Sequence, residues 1–366
     1  MKKLYSLVLI FIFTTSSLNF VYAQCATVTA ASITNPGNYT IATLTENDGV
    51  RNGPNYNGAT IYYPTNATPP YASIAIVPGF VSAPSTVQDW GPFYASHGYV
   101  AIIIGTNSLF DFPEARANAL LDALETMKQE NIRMASPLFG KLNLNKLVVS
   151  GWSMGGGGAQ RAAVLDNTIS GVIALCPYLL APQLNHQSPL LIFSGQADPT
   201  APPAQHADLH YNATPSTTSK MLFEVANGNH SVANTPTGAN GDVGKIAISW
   251  LKKYVDNDDC YCNLLKNSLL ANNTQASKIN QNFQCDGVLN VLETNSKIGV
   301  YPNPAKDFII VDIQEKADYK LYSSTGKLVL TGKISKLENK INVQKLSAGV
   351  FYLEINNQVI KIIKVD

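Results

Sequence analysis

The sequence predicts an α/β domain, with a mostly parallel sheet flanked by helices, followed by a small all-β sandwich domain. Three observations support this division. Over residues 24–255, apolar runs of strand length alternate with segments of helical periodicity, which is typical of βαβ units. Residues 256–297 are polar and rich in Asn. From residue 298 onward, short alternating runs are separated by turn residues, a pattern typical of antiparallel sheets.

Strands of the first domain are predicted where short apolar runs end at turn residues. They are 60–63, 73–77, 100–104, 146–150, 171–175, 190–194 and 221–225. Apolar residues at helical spacing predict helices at 114–133, from Ser153 onward, near 203–211 and at 243–254. We expect these helices to cover both faces of the sheet. In the second domain the predicted strands are 308–313, 319–322, 327–330, 349–355 and 358–365.

The N-terminus has the three parts of a secretory signal peptide, predicted to cover residues 1–23. Lys2 and Lys3 precede an apolar stretch at 7–13, and 21–23 form an acceptable cleavage site. The apolar stretch is too short to span a membrane. Cys25 leaves a lipoprotein alternative open, although Gln24 before it is a poor match to the small residue that lipid attachment favours. We expect a secreted protein in a compartment that permits disulfides.

Charge excludes some partners. The formal net charge is +1 and no cluster of Lys and Arg is present, so a nucleic-acid partner is not expected. Neutral substrates are expected, with no cofactor, no metal and no membrane association, and we expect a monomer. Asp256, Asp258 and Asp259 form an acidic group, which we interpret as a solvated linker rather than a cation site.

A G-x-S-x-G pentapeptide carries the predicted chemistry. Gly151-Trp152-Ser153-Met154-Gly155 follows strand 146–150 and opens a helix. This strand–serine–helix order is that of the α/β-hydrolase fold, in which the serine is the nucleophile and sits on a turn that tolerates only glycine beside it. A tight Gly-rich connection is the alternative interpretation. It is disfavoured because suitable partner residues follow.

A serine nucleophile needs a histidine base, and the histidine needs a carboxylate. In this fold they follow in the order serine, acid, histidine, each at the carboxyl end of a later strand. Asp198 follows strand 190–194 and His230 follows strand 221–225. The other histidines, His97, His186, His206 and His210, fail this placement, although His206 remains a candidate to line the cleft. The catalytic residues are therefore predicted to be Ser153, Asp198 and His230.

An oxyanion hole requires a second donor from the loop after an early strand. Val77-Pro78-Gly79-Phe80 follows strand 73–77. We predict that the backbone N–H groups of Phe80 and Met154 form the hole. An ordinary turn at Pro78-Gly79 is the alternative.

Five motifs within residues 50–260 resemble one family. They are Val77-Pro78-Gly79-Phe80, Trp90-Gly91-Pro92 with Ser96-His97-Gly98, the pentapeptide extended by Gly156-Gly157-Gly158, Asp198-Pro199-Thr200-Ala201-Pro202, and His230-Ser231 followed by Ala233-Asn234. On these motifs the sequence is similar to the bacterial cutinases and polyethylene terephthalate hydrolases. The resemblance implies a lidless esterase that acts on polyesters. Only 77 residues separate Ser153 from His230, which leaves no length for a cap.

The resemblance also implies a substrate cleft. Its residues map onto Phe80, Trp152, Met154, Tyr178, Thr200 and Ser231. Two of them depart from the family pattern, because Tyr178 stands where tryptophan is usual and Phe80 where tyrosine is common. No cysteine pair adjoins Asp198 and His230, so the active-site disulfide of some family members is absent.

Four of the five cysteines are disulfide candidates. Cys176 lies in a predicted core strand and is expected to be a free buried thiol. Cys260 and Cys262 are too close in sequence to pair with each other. Cys285 is therefore expected to pair with one of them and Cys25 with the other, and the sequence leaves both pairings open.

The C-terminal part resembles the sorting domain of type IX secretion. The matching segments are Tyr301-Pro302-Asn303-Pro304, residues 322–327, residues 346–352 and the final strand 361–365. A carbohydrate-binding or adhesive module is the alternative. The predicted organisation is a signal peptide at 1–23, an α/β-hydrolase domain at 24–258, a Cys-containing linker at 259–297 and a sorting domain at 298–366, which implies the type IX machinery as a partner.

Three functions are consistent with these features. The first is a secreted serine esterase that hydrolyses polyesters, cutin-like or aromatic such as polyethylene terephthalate. The second is an esterase or lipase that uses the same triad on small soluble or lipid esters. The third is a non-catalytic adhesin on a hydrolase scaffold, which the complete set of candidate triad residues argues against. Attachment to the cell surface after export is also left open.

Overall fold

The computed structural model describes residues 25, 28–285, 298–313, 315–355 and 358–366. The predicted signal peptide and residues 286–297 of the predicted linker lie outside the described residues. The chain divides into two compact units, Met1–Asp286 and Gly287–Asp366, and each is described by itself.

Among the described residues, nine strands form the sheet of the first unit. They are β1 (Ile41–Thr45), β2 (Ala59–Pro64), β3 (Tyr71–Val77), β4 (Val100–Ile104), β5 (Leu142–Trp152), β6 (Gly171–Leu175), β7 (Leu190–Gly195), β8 (Lys220–Val225) and β9 (Ala276–Asn282). The order across the sheet is β1-β2-β4-β3-β5-β6-β7-β8-β9. The strands from β4 to β8 in this order run parallel, and β1, β2 and β9 are antiparallel to their neighbours. The predicted α/β fold is confirmed.

Helices cover both faces of this sheet. Their bounds are Trp90–Ser96, Pro113–Glu130, Met154–Leu165, Ala207–Ala213 and Asp242–Tyr254. On one face Trp90 and Trp250 pack with Phe193 and Phe223 of the central strands. The other face buries apolar residues of the helices Pro113–Glu130 and Met154–Leu165. Strands β3, β4, β6, β7 and β8 are buried at every position, because helices cover both of their sides.

The structure differs from the sequence-based expectation in several elements. Strand β1 and the helix Trp90–Ser96 were not predicted, since only one residue of β1 is fully buried and the helix contains Gly91 and Pro92. The helix predicted at 203–211 is split into a 3-10 turn, Pro203–Gln205, and the helix Ala207–Ala213. Each difference arises where local sequence signals are weak.

The predicted linker at 259–297 is wrong for its first half. A helical segment, Cys260–Asn263 and Leu264–Leu270, is followed by β9, which pairs antiparallel with β8. Leu265, Leu269 and Phe283 are buried in the core of the first unit. The many Asn residues obscured this apolar periodicity, because they occupy the partly exposed positions between the core residues.

Two disulfides constrain residues 260–285: one joins them to Cys25 near the start of the unit, and the other lies within them. Cys25 pairs with Cys260, and Cys262 pairs with Cys285, while Cys176 is a buried free thiol.

The acidic group at residues 256–259 was expected to be solvated, but Asp256 accepts from Lys146, Lys252 and Tyr99. Burial alone would raise the pKa of Asp256, yet the two lysines and the hydrogen bonds hold it below its usual value.

The second unit is an antiparallel β structure. Its described strands are Val300–Tyr301, Phe308–Val311, Ala317–Ser323, Leu328–Ile334, Lys340–Asn342, Gly349–Ile355 and Gln358–Lys364. They form one sheet of three strands and one of four. Ile309, Leu321 and Leu353 are fully buried in a core of their own.

Within the described residues of the chain, no helix is long and apolar enough to cross a membrane.

Candidate active site

Three polar side chains meet at the carboxyl edge of the parallel strands. Ser153 follows β5, Asp198 follows β7 and His230 follows β8. His230 Nε2 lies 2.9 Å from Ser153 Oγ, and His230 Nδ1 lies 2.6 Å from Asp198 Oδ2. Strands β5 and β8 are not adjacent in the sheet, so the loops after the strands bring these groups together.

Ser153 occupies a strained backbone position between β5 and the helix Met154–Leu165. Its φ is 57° and its ψ is −122°, a conformation that non-glycine residues rarely adopt. A Cβ at residue 151 would lie 2.4 Å from Gly155 O, and one at residue 155 would lie 2.5 Å from Val77 O. The turn therefore requires both flanking glycines and exposes Ser153 Oγ to His230.

Asp198 is held as a carboxylate by several donors. Its Oδ1 accepts from the N–H groups of Thr200 and Ala201, at 2.8 and 2.9 Å. Burial alone would raise the pKa of Asp198, but the hydrogen bonds from His230 and these two N–H groups outweigh it and lower the pKa. An acceptor at Nδ1 favours the tautomer of His230 with its proton there, which leaves Nε2 free to accept from Ser153.

Trp152 fixes the loop that carries His230. The indole Nε1 donates to the carbonyl oxygen of His230 at 2.8 Å. The two rings also pack together, with centroids 4.9 Å apart. His230 is thus restrained on its backbone and on one face of its ring.

The loop after β3 lies directly against the serine. A Cβ at Gly79 would be 2.8 Å from Ser153 Cβ and 2.9 Å from Trp152 Cε3. Such a close approach is possible only for glycine. The loop carries the N–H of Phe80, and the first N–H groups of the helix Met154–Leu165 have no partner within that helix. The two predicted oxyanion donors therefore come from segments that adjoin Ser153.

The six predicted cleft residues surround this centre with different exposure. Trp152, Met154 and Tyr178 are half-buried, and Phe80, Thr200 and Ser231 are exposed. The N–H of Tyr178 donates to Ser153 O at 2.8 Å, which ties this residue to the turn at Ser153.

His206 supports Tyr178 from behind. Its ring lies 4.3 Å from the Tyr178 ring, and its side chain is buried. The expectation that His206 lines the cleft is therefore wrong, because Tyr178 covers it. His210 lies beneath, accepting from Gln160 at Nδ1 and donating from Nε2 to Leu179 O.

Two aromatic residues near the site were not identified from the sequence. Phe110 and Phe112 are 65% and 66% exposed, and their rings lie 5.7 and 6.1 Å from that of Phe80. They follow β4 at the same edge of the sheet as Ser153. That position, directly after a parallel strand, was the signal that could have indicated them.

Among the described residues, no three His, Cys, Asp or Glu side chains cluster as metal ligands would.

The fold and the comparisons with known proteins define the class. The architecture is that of an α/β-hydrolase, and residues 19–285 match the model of a family described as PET hydrolase-like. The chain belongs to this family. Residues 299–365 match the model of a secretion system C-terminal sorting domain.

Named relatives agree with this membership. A bis(hydroxyethyl) terephthalate hydrolase of Streptomyces coelicolor is 35% identical over 208 residues, which are 56% of this chain and 64% of that protein. Cutinase 1 of Thermobifida cellulosilytica is 36% identical over 211 residues, or 57% of this chain and 78% of that protein. A cutinase of Thermobifida fusca is also 36% identical and is covered to 68%. The chain is a carboxylic ester hydrolase, and with its sorting domain it is an extracellular protein.

Proposed function

We propose that this protein is a serine esterase that hydrolyses the ester bonds of polyesters through Ser153, His230 and Asp198. The hydrogen-bonded series from Asp198 through His230 to Ser153, at 2.6 and 2.9 Å, is the observation that carries the proposal. In this assignment Ser153 is the nucleophile, His230 the general base and acid, and Asp198 the group that orients His230.

The reaction proceeds in two halves. Ser153 Oγ attacks the ester carbonyl carbon while His230 Nε2 takes its proton, and the oxyanion accepts from the N–H groups of Phe80 and Met154. The tetrahedral intermediate then collapses, the C–O bond to the alcohol breaks, and His230 gives its proton to the departing alcohol. Water, deprotonated by His230, attacks the acyl-enzyme and releases the acid, and the proton returns to Ser153.

A polyester substrate fits the open, aromatic surroundings of this centre. A polymer chain at a surface can reach Ser153 only if the residues around the serine are open to solvent. The six proposed cleft residues are exposed or half-buried, as this requires. Flat or apolar repeat units can pack against Phe80, Trp152 and Tyr178, while Met154, Thr200 and Ser231 complete the proposed cleft. Cutinases and a bis(hydroxyethyl) terephthalate hydrolase among the relatives support cutin-like and terephthalate esters as substrates.

The test compares the mature wild-type protein with Ser153→Ala on an aromatic polyester film and on short- and long-chain nitrophenyl esters. We expect wild type to release soluble products from the film, and the variant to lose at least about 10⁴-fold in kcat on every ester with its melting temperature retained. Cleavage of nitrophenyl esters but not of the film would identify an esterase of small or lipid esters instead. Wild type inactive on all of them would favour an adhesin.

We further propose that residues 24–285 form the catalytic domain and residues 298–366 a signal for the type IX machinery. All proposed catalytic residues lie in the first domain, which supports independent roles for the two domains. Deleting 298–366 should leave kcat and KM within about twofold but retain the protein inside a host that has this machinery. Normal release of the truncated protein would instead indicate a binding or adhesive module.

A further inference from the structure

A buried arginine lies next to the proposed oxyanion hole. Arg116, on the helix Pro113–Glu130, has no exposed surface. Arg51 and Arg133 pair with carboxylates. By contrast, the hydrogen bonds of Arg116 all end on main-chain carbonyl oxygens. A cation is costly to bury without a carboxylate bonded to it, and here three main-chain carbonyl oxygens take that place.

The three carbonyls belong to two loops at the active-site edge of the sheet. Nη1 donates to Pro78 O at 2.9 Å, Nε to Asp111 O at 2.9 Å and Nη2 to Leu109 O at 3.2 Å. Leu109 O also accepts from the N–H of Val81 at 2.8 Å. The planar guanidinium thus joins the segment that carries Phe80 to the segment that carries Phe110 and Phe112.

The carbonyl of Pro78 has little freedom to move elsewhere. A Cβ at Gly155 would lie 2.6 Å from Pro78 O, and a Cβ at Gly158 would lie 2.8 Å from Arg116 Cβ. The nucleophile helix therefore packs directly on both partners of this hydrogen bond. Its glycines permit the contact, because a side chain at residue 155 would displace Pro78 O and one at residue 158 would displace Arg116.

We propose that Arg116 is a positioning residue for the oxyanion hole, an inference that rests on the proposed esterase function. The Pro78–Gly79 peptide precedes the Gly79–Phe80 peptide, whose N–H is the proposed donor, and Gly79 between them adds no side chain to fix their relative orientation. By holding Pro78 O, the fork of Arg116 fixes the first peptide plane and limits the second.

Arg116 remains charged at the pH of the reaction. Burial lowers its pKa to about 10, and the nearby charge of Asp111 acts in the opposite direction. Its donors therefore stay protonated near neutral pH. A lysine cannot replace this geometry, because an ammonium lacks the planar fork that reaches three acceptors at once.

The experiment compares Arg116→Lys and Arg116→Met in the mature protein with wild type. We expect kcat for a short nitrophenyl ester to fall about 10-fold in Arg116→Lys and about 100-fold in Arg116→Met, with KM within threefold, since a misplaced oxyanion donor costs about 10²–10³ in kcat. A trifluoromethyl ketone, which forms a tetrahedral adduct with Ser153, should lose affinity by the same factor as kcat/KM. An amide analogue of the substrate should bind unchanged.

Arg51→Lys is the matched control, because Arg51 bonds to Asp122 and Thr126 on the same helix and does not contact the Pro78–Phe80 loop. It should keep wild-type kcat. The inference is overturned if both Arg116 variants keep wild-type kcat and ketone affinity, or if ketone and amide affinities fall equally.

The rate at which a fluorophosphonate labels Ser153 separates this inference from the proposed function. Phosphonylation also needs the oxyanion hole but needs no ester turnover. If wild type is labelled yet hydrolyses no ester, the proposed function fails, and slower labelling of the Arg116 variants still supports positioning. Equal labelling rates would overturn it.

Discussion

Ser153 and Asp198 are 6% and 4% exposed, whereas Phe110 and Phe112, at the same edge of the sheet, are exposed by about two thirds. The buried groups form the floor of the site, and each of them is held by several hydrogen bonds. The exposed aromatic residues Phe110 and Phe112 form its rim together with Phe80, whose ring packs against both of theirs.

This difference indicates how the two regions contribute to function. A floor group such as Asp198 cannot change without leaving donors unsatisfied in a buried place, which is costly. A rim residue can change with little effect on folding, because both states expose it to water. We therefore expect the floor to determine whether an ester is cleaved and the rim to determine which one.

The largest expected effect tests the floor. Asp198→Asn should lower kcat on nitrophenyl esters by about 10⁴-fold, because the amide no longer selects the tautomer of His230 that accepts from Ser153. Asp208→Asn is the control, since Asp208 pairs with Lys278 rather than with His230. A loss of less than tenfold in Asp198→Asn would show that this carboxylate is not part of the machinery.

The second effect is a loss of folding stability at acid pH. Burial lowers the pKa of His210 to about 4, below its ordinary 6.5. Above pH 6.5 both folded and unfolded chains hold this histidine neutral. Between pH 6.5 and 4 only the unfolded chain binds the proton, so stability present above pH 6.5 is lost as the pH falls, by on the order of 3 kcal/mol.

Tryptophan fluorescence during urea unfolding at several pH values measures this loss. All three tryptophans, Trp90, Trp152 and Trp250, lie in the first unit, so the signal reports on that unit alone. His210→Asn should flatten the pH dependence, and His186→Asn should flatten it separately, because burial also lowers the pKa of His186 to about 4. An unchanged slope in His210→Asn would contradict the assignment.

The smallest effect tests the rim. Tyr178→Ala should slow depolymerisation of an aromatic polyester several-fold, since a ring stacked on Tyr178 contributes about 0.5–1.5 kcal/mol. A short-acyl nitrophenyl ester, too small to reach this subsite, should be cleaved at nearly the wild-type rate. Tyr178→Trp should keep or raise polymer activity because it preserves the stacking surface.

Phe139→Ala is the matched control for an exposed ring, because Phe139 is half exposed and precedes β5, at the opposite edge of the sheet. It should leave both activities unchanged. Equal losses on polymer and small ester in Tyr178→Ala would mean that the Tyr178 ring supports the fold, through its packing on His206, rather than the substrate.

Local sequence determined much of this protein. Strands of the central sheet are short apolar runs that end at turn residues, so antiparallel β2 and the six parallel strands β3 to β8 were predicted within a few residues of their observed bounds. The turn at Ser153 was predictable as well, because its geometry requires glycine at residues 151 and 155, and that requirement is visible in five consecutive letters. The positions of Asp198 and His230 follow from the order of the strands.

Contacts between distant residues decided the rest. The pairing of Cys25 with Cys260, and the addition of polar β9 to the sheet, depend on how residues 260–285 pack, which no local pattern encodes. His206 was a candidate to line the cleft, but it is buried behind the ring of Tyr178. In the sequence, Arg116 is indistinguishable from other arginines on a helix. Only the fold brings Pro78 O and Leu109 O within hydrogen-bond distance of its guanidinium. Periodicity fixes which face of an element is apolar, whereas the partner of a buried polar group is fixed only when separate elements come together.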